Sequence, residues 1–292
     1  MSTAFGPVWP APAKLNLFLH VTGRRSDGYH LLQSVFQFLD YGDDIQFAIR
    51  EDGEVRRQGT VGDVAEEADL MVRAARRLQA ETGCALGADI RITKRLPMGG
   101  GLGGGSSDAA TVLVALNQLW GLGQNAGRLA EIGLELGADV PVFVRGEAAW
   151  AEGVGEQLTP VRPPEPWYLV VKPPVEVPTA AVFGASELTR DCPPITIPDF
   201  LSGRGKNVCE PVVRRRFPEV GDVLDWLGQF GAARMTGTGS CAFVAFEDRG
   251  PAEAALEQMP AGWQGFVARG MNRSPLLAAL ERERAADSIP TP

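Results

Sequence analysis

The N-terminal part of the chain alternates hydrophobic and polar residues with a period of two. In residues 14–21, KLNLFLHV, leucines and a valine occupy every second position, which is typical of a strand. The alternation resumes in residues 31–39 and 44–49 after a turn-forming segment rich in Ser, Asp and Gly. Another short strand is predicted over residues 88–94. The pattern therefore predicts a β-rich beginning.

Helical spacing replaces this alternation further along the chain. Residues 68–82 place apolar side chains on one face and three arginines on the other, which predicts an amphipathic helix. A hairpin is predicted over residues 147–156, and strands over residues 167–172 and 242–246. Further helices are predicted over residues 109–120, 126–136, 180–188, 220–229 and 252–259.

A proline-rich stretch, TPVRPPEP at residues 159–166, interrupts both patterns. Prolines at this density mark turns and linkers, so we expect a domain boundary here. The predicted domains are residues 1–160 and 161–292. A length of 292 residues accommodates two domains of ordinary size.

Composition narrows the possible functions. The net charge of −8 argues against a nucleic-acid partner. Four scattered cysteines without a CxxC pair, and only two histidines, argue against a zinc site and predict reduced thiols. The N-terminus lacks the basic and apolar regions of a signal peptide, and no apolar run approaches the roughly 20 residues of a membrane span. We therefore predict a cytoplasmic protein without a metal site or membrane partner; its oligomeric state stays unknown.

Residues 97–110, PMGGGLGGGSSDAA, carry the strongest chemical signal. Six of the seven residues in 99–105 are glycine, which permits positive φ and close approach of backbone N–H groups to a ligand. Ser106, Ser107 and Asp108 then provide a cap for the predicted helix. A glycine loop that opens onto a helix N-terminus collects free N–H donors, which favours phosphate binding.

Other glycine motifs match this segment poorly. A Walker A loop has Lys before its Ser, where this chain has Gly105. A Rossmann fingerprint belongs in the first βα turn with an acidic residue about 20 positions later, on the next strand. The HRD and DFG segments of protein kinases are absent from the sequence. A flexible glycine linker is the remaining alternative, which the capped helix argues against.

Three segments together resemble the GHMP kinases, the family of galactokinase, homoserine kinase, mevalonate kinase and relatives. Residues 97–110 resemble their central ATP-binding motif. Residues 11–21, APAKLNLFLHV, resemble the N-terminal motif, and residues 233–247, ARMTGTGSCAFVAFE, the C-terminal glycine-rich motif. The resemblance implies an α+β, two-domain fold, with an N-terminal ATP-binding domain and a smaller C-terminal α/β sandwich domain. It implies ATP as co-substrate, with Mg²⁺ carried alongside.

Three other segments resemble one branch of this family, which phosphorylates an alcohol bearing a cytidine diphosphate group in non-mevalonate isoprenoid biosynthesis. They are RRSDGYHLLQSVFQFLDYGD, LGADVPVFVRG and EVPTAAVF, at residues 24–43, 136–146 and 176–183. The alternatives are another GHMP kinase, of the homoserine or mevalonate type, and a non-catalytic GHMP-like binding protein.

Lys14 and Asp139 are the predicted catalytic pair. From the residues alone, Lys14 could be a solvated surface lysine and Asp139 the cap of a short turn before Pro141. The resemblance makes Asp139 the general base and Lys14 the cation that lowers the pKa of the acceptor hydroxyl.

The resemblance also assigns the binding residues. Tyr29 and His30 would bind the cytidine end with Phe183 as the opposing ring, although turn packing explains the first two equally well. The chain has Asp69 where the family often has Asn, and a carboxylate cannot donate a hydrogen bond to adenine. The predicted substrate contacts are Asn16, Tyr29, His30, Thr179, Phe183, Gly237, Thr238 and Gly239. The predicted ATP contacts are Lys94, Pro97, Met98, Gly99, Gly100, Gly101, Leu102, Gly103, Gly104, Gly105, Ser106, Ser107 and Asn117.

Overall fold

The computed structural model describes residues 4–62 and 64–287, and ten strands and ten α-helices lie within them. The strands are β1 (Trp9–Arg24), β2 (His30–Arg50), β3 (Val55–Gln58), β4 (Gly87–Thr93), β5 (Ala149–Glu152), β6 (Gln157–Pro160), β7 (Trp167–Lys172), β8 (Arg234–Met235), β9 (Ala242–Phe246) and β10 (Gln264–Met271). The helices are α1 (Leu70–Thr82), α2 (Gly104–Leu119), α3 (Ala126–Leu136), α4 (Val140–Arg145), α5 (Thr179–Phe183), α6 (Ile197–Leu201), α7 (Glu210–Arg216), α8 (Pro218–Leu227), α9 (Arg249–Glu257) and α10 (Pro275–Asp287).

β2 is one strand of 21 residues where the sequence predicts two. It pairs with β1 in antiparallel register from Trp9↔Ile45 to Arg24↔His30. Gly42 lies so close to β1 that a Cβ atom there would be 2.2 Å from the carbonyl oxygen of Ala11. The polar DYGD segment therefore continues the strand, because glycine permits the close approach that the pairing requires.

The sheet runs through both halves of the chain in the order β3-β4-β2-β10-β7-β9-β8, and β1 and β5 also pair with β2. β10 makes the connection, since it pairs with β2 at Gly270↔Leu39 and with β7 along its length. The division at residue 160 stays a prediction, and the sheet itself crosses it.

The helices enclose separate hydrophobic cores. The larger core includes Phe38, Leu113 and Phe143 and lies between the N-terminal strands and helices α1 to α4. Leu276 of α10 joins this core although it comes from the end of the chain. A second core around Val171 and Leu224 fills the C-terminal half. Helices pack on the mixed sheet, and α2 lies against β1 and β2 as well as helices α1 and α4.

Two helices differ from the sequence prediction at their ends. α2 begins at Gly104, not at residue 109, because Gly103 takes a left-handed conformation and the following glycines are already helical. α5 ends at Phe183, five residues before the predicted end, and Gly184 follows as its C-cap. The start of α2 and the end of α5 therefore both lie at residues that line the cavities described below.

Candidate active site

The glycine loop lines a cavity of about 460 Å³ between β4 and α2. All residues from 97 to 106 border this cavity. Gly99, Gly101 and Gly103 have φ of 67°, 74° and 73°, a region that side chains other than glycine rarely enter. The first turn of α2 leaves N–H groups without helical partners at the cavity, which makes the loop a cradle for anions.

Backbone hydrogen bonds hold this loop in place from two sides. The Lys14 N–H of β1 donates to the Leu102 carbonyl at 3.0 Å, and the Cys241 N–H donates to the Gly100 carbonyl at 3.1 Å. A Cβ atom on Gly101 would lie 2.6 Å from the carbonyl oxygen of Thr236. The three segments singled out in the sequence therefore meet here.

The side chain of Lys14 is buried beneath the loop, with the residue only 3% exposed. Its ammonium donates to Asn16 Oδ1 at 2.6 Å and to the Gly101 carbonyl at 3.1 Å, and it lies 3.5 Å from Asp139 Oδ2. The same ammonium lies 5.3 Å from the centre of the Phe36 ring. A solvated surface lysine is thereby excluded, because a buried ammonium requires partners of this kind.

Asp139 precedes α4 and is half-buried, with its side chain 36% exposed. Its side chain makes no capping hydrogen bond to the helix, so its carboxylate is not used as an N-cap. The carboxylate instead faces Lys14 at the edge of a second cavity. Lys14 and Asp139 are thus brought together from positions 125 residues apart in the sequence.

This second cavity has a volume of about 740 Å³. It shares Gly101, Gly103 and Ser106 with the first cavity, so the two spaces meet at the glycine loop. Lys14 and Asp139 also line it, at the junction. A ligand bound in the second cavity would therefore lie next to an anion held by the glycine loop.

His30 and Phe183 lie in the second cavity as a stacked pair, with ring centroids 5.0 Å apart and planes at 23°. Rings at this separation are in direct contact, so no base fits between these two in the present arrangement. Tyr29 lines the same cavity and is 65% exposed. A base could therefore stack against Tyr29 while the edge of His30 faces it.

Arg190 is a site residue that sequence reasoning missed. Its Nε donates to His30 Nε2 at 3.2 Å, so the neutral imidazole carries its proton on Nδ1. Burial lowers the pKa of His30, and the positive charges of Arg190 and Arg24 lower it further. His30 thus keeps one donor for a ligand, while its acceptor nitrogen is in use.

The C-terminal half contributes a short turn to the second cavity. Gly237 and Thr238 line it, and Thr238 Oγ1 lies 3.0 Å from Thr179 Oγ1 of α5. Gly239 lies directly behind them, and its N–H donates to the Thr236 carbonyl at 3.0 Å. Asn16 connects this turn to β1, since its N–H donates to Thr236 Oγ1 at 2.9 Å.

Asn207 supports the same turn and was also missed. Its Nδ2 donates to the carbonyls of Met235 and Gly237, both at 2.8 Å. It comes from the segment SGRGKNVC before α7, whose glycines and charges resemble those of an ordinary surface loop. An amide that crosslinks two carbonyls becomes visible only once the chain is folded.

Lys94 lines the first cavity, where it bridges two carboxylates. Its Nζ lies 2.5 Å from Asp43 Oδ2 and 2.9 Å from Asp108 Oδ2. Burial raises the pKa of the Asp108 carboxyl to about 7, although Lys94 opposes the shift. The Oδ1 atom of Asp108 is buried and has no hydrogen-bond partner within the described residues. A predicted nucleotide contact is therefore also part of a buried charge network.

Two predicted ATP contacts lie away from the cavity. Asn117 is near the far end of α2, about 20 Å of helix from Gly104, and its amide exchanges hydrogen bonds with the backbone of Gln124 at 3.0 and 2.9 Å. Ser107 is fully buried behind the loop and is not among the residues that line either cavity. Both assignments remain predictions to which this geometry adds no support.

Comparison with known proteins agrees with this arrangement. The profile described as "GHMP kinases N terminal domain" matches residues 69–147, and "GHMP kinases C terminal" matches residues 197–265. The chain belongs to the GHMP kinase family. The predicted GHMP fold is confirmed, and the two matched regions fall on the glycine loop and on the C-terminal turn.

Relatives within the family are similar over most of this GHMP kinase. The 4-diphosphocytidyl-2-C-methyl-D-erythritol kinase of Nitrosococcus oceani is 61% identical, over 94% of the chain and 98% of the relative. The enzyme of that name from Halorhodospira halophila is 63% identical, over 94% and 96%.

Solved structures show the same fold. A crystal structure of 4-(cytidine 5'-diphospho)-2C-methyl-D-erythritol kinase superposes with a TM-score of 0.79 at 32% identity, over 91% of this chain and 99% of that one. The homoserine kinase of Cytophaga hutchinsonii has a TM-score of 0.68 at 17% identity, over 91% and 95%. The second likeness concerns the fold alone.

Within the described residues, 4–62 and 64–287, no group of three or more His, Cys, Asp or Glu side chains is arranged to hold a metal ion. No helix there combines the length and the apolar character needed to cross a membrane.

Proposed function

We propose that this GHMP kinase transfers the γ-phosphoryl group of ATP to the 2-hydroxyl of 4-diphosphocytidyl-2-C-methyl-D-erythritol, a step of non-mevalonate isoprenoid precursor biosynthesis. One observation carries the proposal: two cavities meet at the glycine loop, and Lys14 and Asp139 line the second cavity at that junction. The N–H groups of the glycine loop would bind a triphosphate, and Lys14 and Asp139 would act on an alcohol in the second cavity.

The reaction follows from these positions. The Asp139 carboxylate takes the proton of the acceptor hydroxyl, whose oxygen forms a bond to the γ-phosphorus. The bond from that phosphorus to the β,γ-bridging oxygen breaks, and ADP leaves. Lys14, 3.5 Å from Asp139, stabilises the negative charge that develops on the acceptor oxygen. The N–H groups of the loop hold the phosphates in line.

Mg²⁺ is the ion expected to accompany ATP. It prefers hard oxygen ligands and is held largely by substrate phosphates and water. The chain offers the hydroxyl of Ser106, which borders both cavities, and this donor fits such an ion. The bound ion would neutralise charge on the phosphates.

The aromatic side of the second cavity supports the assignment of a cytidine group to the substrate. Tyr29 supplies an exposed ring there beside the stacked His30–Phe183 pair, and His30 keeps a donor for a base edge. The relatives named above carry the diphosphocytidyl group in their names. An aromatic, partly apolar cavity of this size favours a nucleotide-bearing alcohol over a small amino acid.

Cellular location and partners stay predictions. A cytoplasmic location agrees with four free cysteines, since a reducing compartment keeps thiols unpaired. The expected absence of nucleic-acid and membrane partners follows from the acidic net charge and the lack of a long apolar run.

The test is an acceptor panel with purified enzyme. ADP release and phosphorus NMR of the product are measured with 4-diphosphocytidyl-2-C-methyl-D-erythritol, mevalonate and homoserine. We expect turnover of the first compound alone, and phosphorylation of mevalonate or homoserine instead would refute the assignment. Asp139→Asn should lower kcat by about 10² to 10⁴ while ATP still binds. Asp222→Asn, at an exposed position on α8, is the matched control and should keep normal kcat.

A further inference from the structure

One wall of the first cavity is a loop that follows β3, and we call residues 59–62 and 64–69 the nucleotide-wall loop. Its cavity-facing residues are Val61, Val64, Ala68 and Asp69. The loop also closes over the glycine loop, because a Cβ atom on Gly62 would lie 3.3 Å from Met98 Sδ. The shape of the cavity at this wall therefore depends on what holds the loop.

Arg57, at the end of β3, holds it at three points. Its Nη1 donates to Asp69 Oδ2 at 2.6 Å, and its Nη2 donates to the Val64 carbonyl at 2.9 Å. Its Nε donates to the Gly59 carbonyl at 3.3 Å. One planar guanidinium thus connects the beginning, middle and end of the loop, which a lysine ammonium cannot do with the same geometry.

The ion pair in this set is buried. The side chain of Arg57 is 6% exposed and that of Asp69 is 7% exposed. The backbone N–H of Arg57 also donates to Glu66 Oε1 at 3.2 Å, which adds a fourth connection to the loop. Pairs with this little exposure are weakly screened by salt, so the crosslink persists under physiological conditions.

Both carboxylate oxygens of Asp69 are already in use. Oδ2 accepts from Arg57, and Oδ1 accepts from the Met71 N–H at 2.8 Å as the N-cap of α1. A carboxylate has no donor for a base, and here each of its oxygens already accepts one hydrogen bond. Asp69 therefore anchors the loop to Arg57 and to α1, and it has no donor to offer adenine.

We infer that Arg57 is a positioning residue for nucleotide binding, and that it acts on the base end of ATP through the nucleotide-wall loop. The inference rests on the proposed ATP site. If the loop is correctly placed in only a fraction of molecules, the apparent Kd rises by the inverse of that fraction. A loop ordered in one molecule in ten would weaken ATP binding about tenfold. The acceptor cavity and the Lys14–Asp139 pair lie on the other side of the glycine loop and should be unaffected.

The test compares Arg57→Gln with Arg56→Gln. Arg56 is the preceding residue on β3, its side chain is 52% exposed, and its ion-pair partner is Glu54, so it is a matched control for loss of an arginine. Titration calorimetry measures the Kd of a non-hydrolysable ATP analogue, and steady-state kinetics measure KM for ATP, KM for the alcohol and kcat. We expect Arg57→Gln to raise Kd and KM for ATP about tenfold, with kcat and KM for the alcohol within about twofold. Arg56→Gln should match the wild type.

Two more variants keep the test decisive if Arg57→Gln folds poorly. Asp69→Asn keeps one oxygen for the cap on Met71 but places an NH2 group opposite the Arg57 guanidinium, so it breaks the ion pair and should also raise Kd. The double variant Arg57→Gln, Asp69→Asn should bind no more weakly than Arg57→Gln alone, since both changes break one connection. An analogue affinity equal to wild type in the single Arg57 and Asp69 variants would overturn the inference, as would equal losses for ATP and the alcohol. Failure of the wild type to bind the analogue would instead refute the proposed function.

Discussion

Replacing Gly103 by alanine should damage both stability and turnover, because this glycine is constrained in two ways. Gly103 precedes α2 with φ 73° and ψ 18°, a left-handed conformation that alanine adopts at a cost. A Cβ atom there would lie 2.8 and 2.9 Å from ring carbons of Phe143 and 3.2 Å from Lys14 Cε. The Phe143 ring is fully buried in the larger core and has little room to move.

The two penalties can be sized separately. The left-handed conformation costs about 1–2 kcal/mol for a residue with a Cβ atom. Forcing an extra methyl group into a packed core costs about 1–3 kcal/mol. Their sum is about 2–5 kcal/mol, which lowers the Tm by about 4–10 °C at roughly 2 °C per kcal/mol for a chain of this size. The contact with Lys14 also shifts its ammonium, and displacement of a catalytic group by an ångström lowers kcat by up to about 100-fold.

The measurement is thermal unfolding by circular dichroism, with steady-state kinetics on the same samples. Gly105→Ala is the control for stability, since Gly105 is helical and its nearest neighbour, Leu70 Cδ1, would lie 3.5 Å from the new Cβ. Alanine there should leave the unfolding free energy unchanged or raise it by about 1 kcal/mol at most, so the Tm should not fall. Equal Tm values for the two variants would refute the argument that the φ and the Phe143 contact decide the effect.

Two predictions concern pH. Burial raises the pKa of Asp108 from 3.8 to about 7, so stability from its protonated form is complete below pH 3.8 and is lost as the pH rises to about 7. The unfolding free energy of the wild type, relative to that of Asp108→Asn, should therefore fall across that window by at most about 1.4 kcal/mol per pH unit. Denaturant titrations at several pH values measure this difference, and a difference that does not change with pH would contradict the prediction. Arg190→Gln should raise the pKa of His30 towards 6.5 in a proton NMR titration, because a cation and a donor to Nε2 are removed. His20 is the internal reference, and a parallel change in both imidazoles would exclude a direct effect of Arg190.

The spacing of hydrophobic residues predicts those helices and strands that their own sequence determines. β1 was recognisable because leucines alternate through residues 15–19, and α2 from the helical stretch 109–120. The predicted cap at residues 106–108 was wrong, because these residues lie inside α2 and its N-cap is Gly103. β10, QGFVARGM, was missed because two glycines and an arginine interrupt its apolar residues and leave no alternation. It is a strand because β2 and β7 lie on its two sides and accept its backbone hydrogen bonds. Pairing partners that are distant in sequence decide such a strand, and no periodicity reports them.

The same distinction separates what could be predicted of the site from what could not. A buried charge requires a partner, so once Lys14 is known to be buried, an acid near it is required by electrostatics. The sequence alone shows neither the burial nor the partner, since 125 residues separate Lys14 from Asp139, and the family resemblance supplied the pair instead. The family resemblance could not predict the role of Arg57. Its partner is Asp69, a position at which this chain departs from the family pattern. Departures of this kind are where the structure adds most, because a changed side chain takes its role from the neighbours that now hold it.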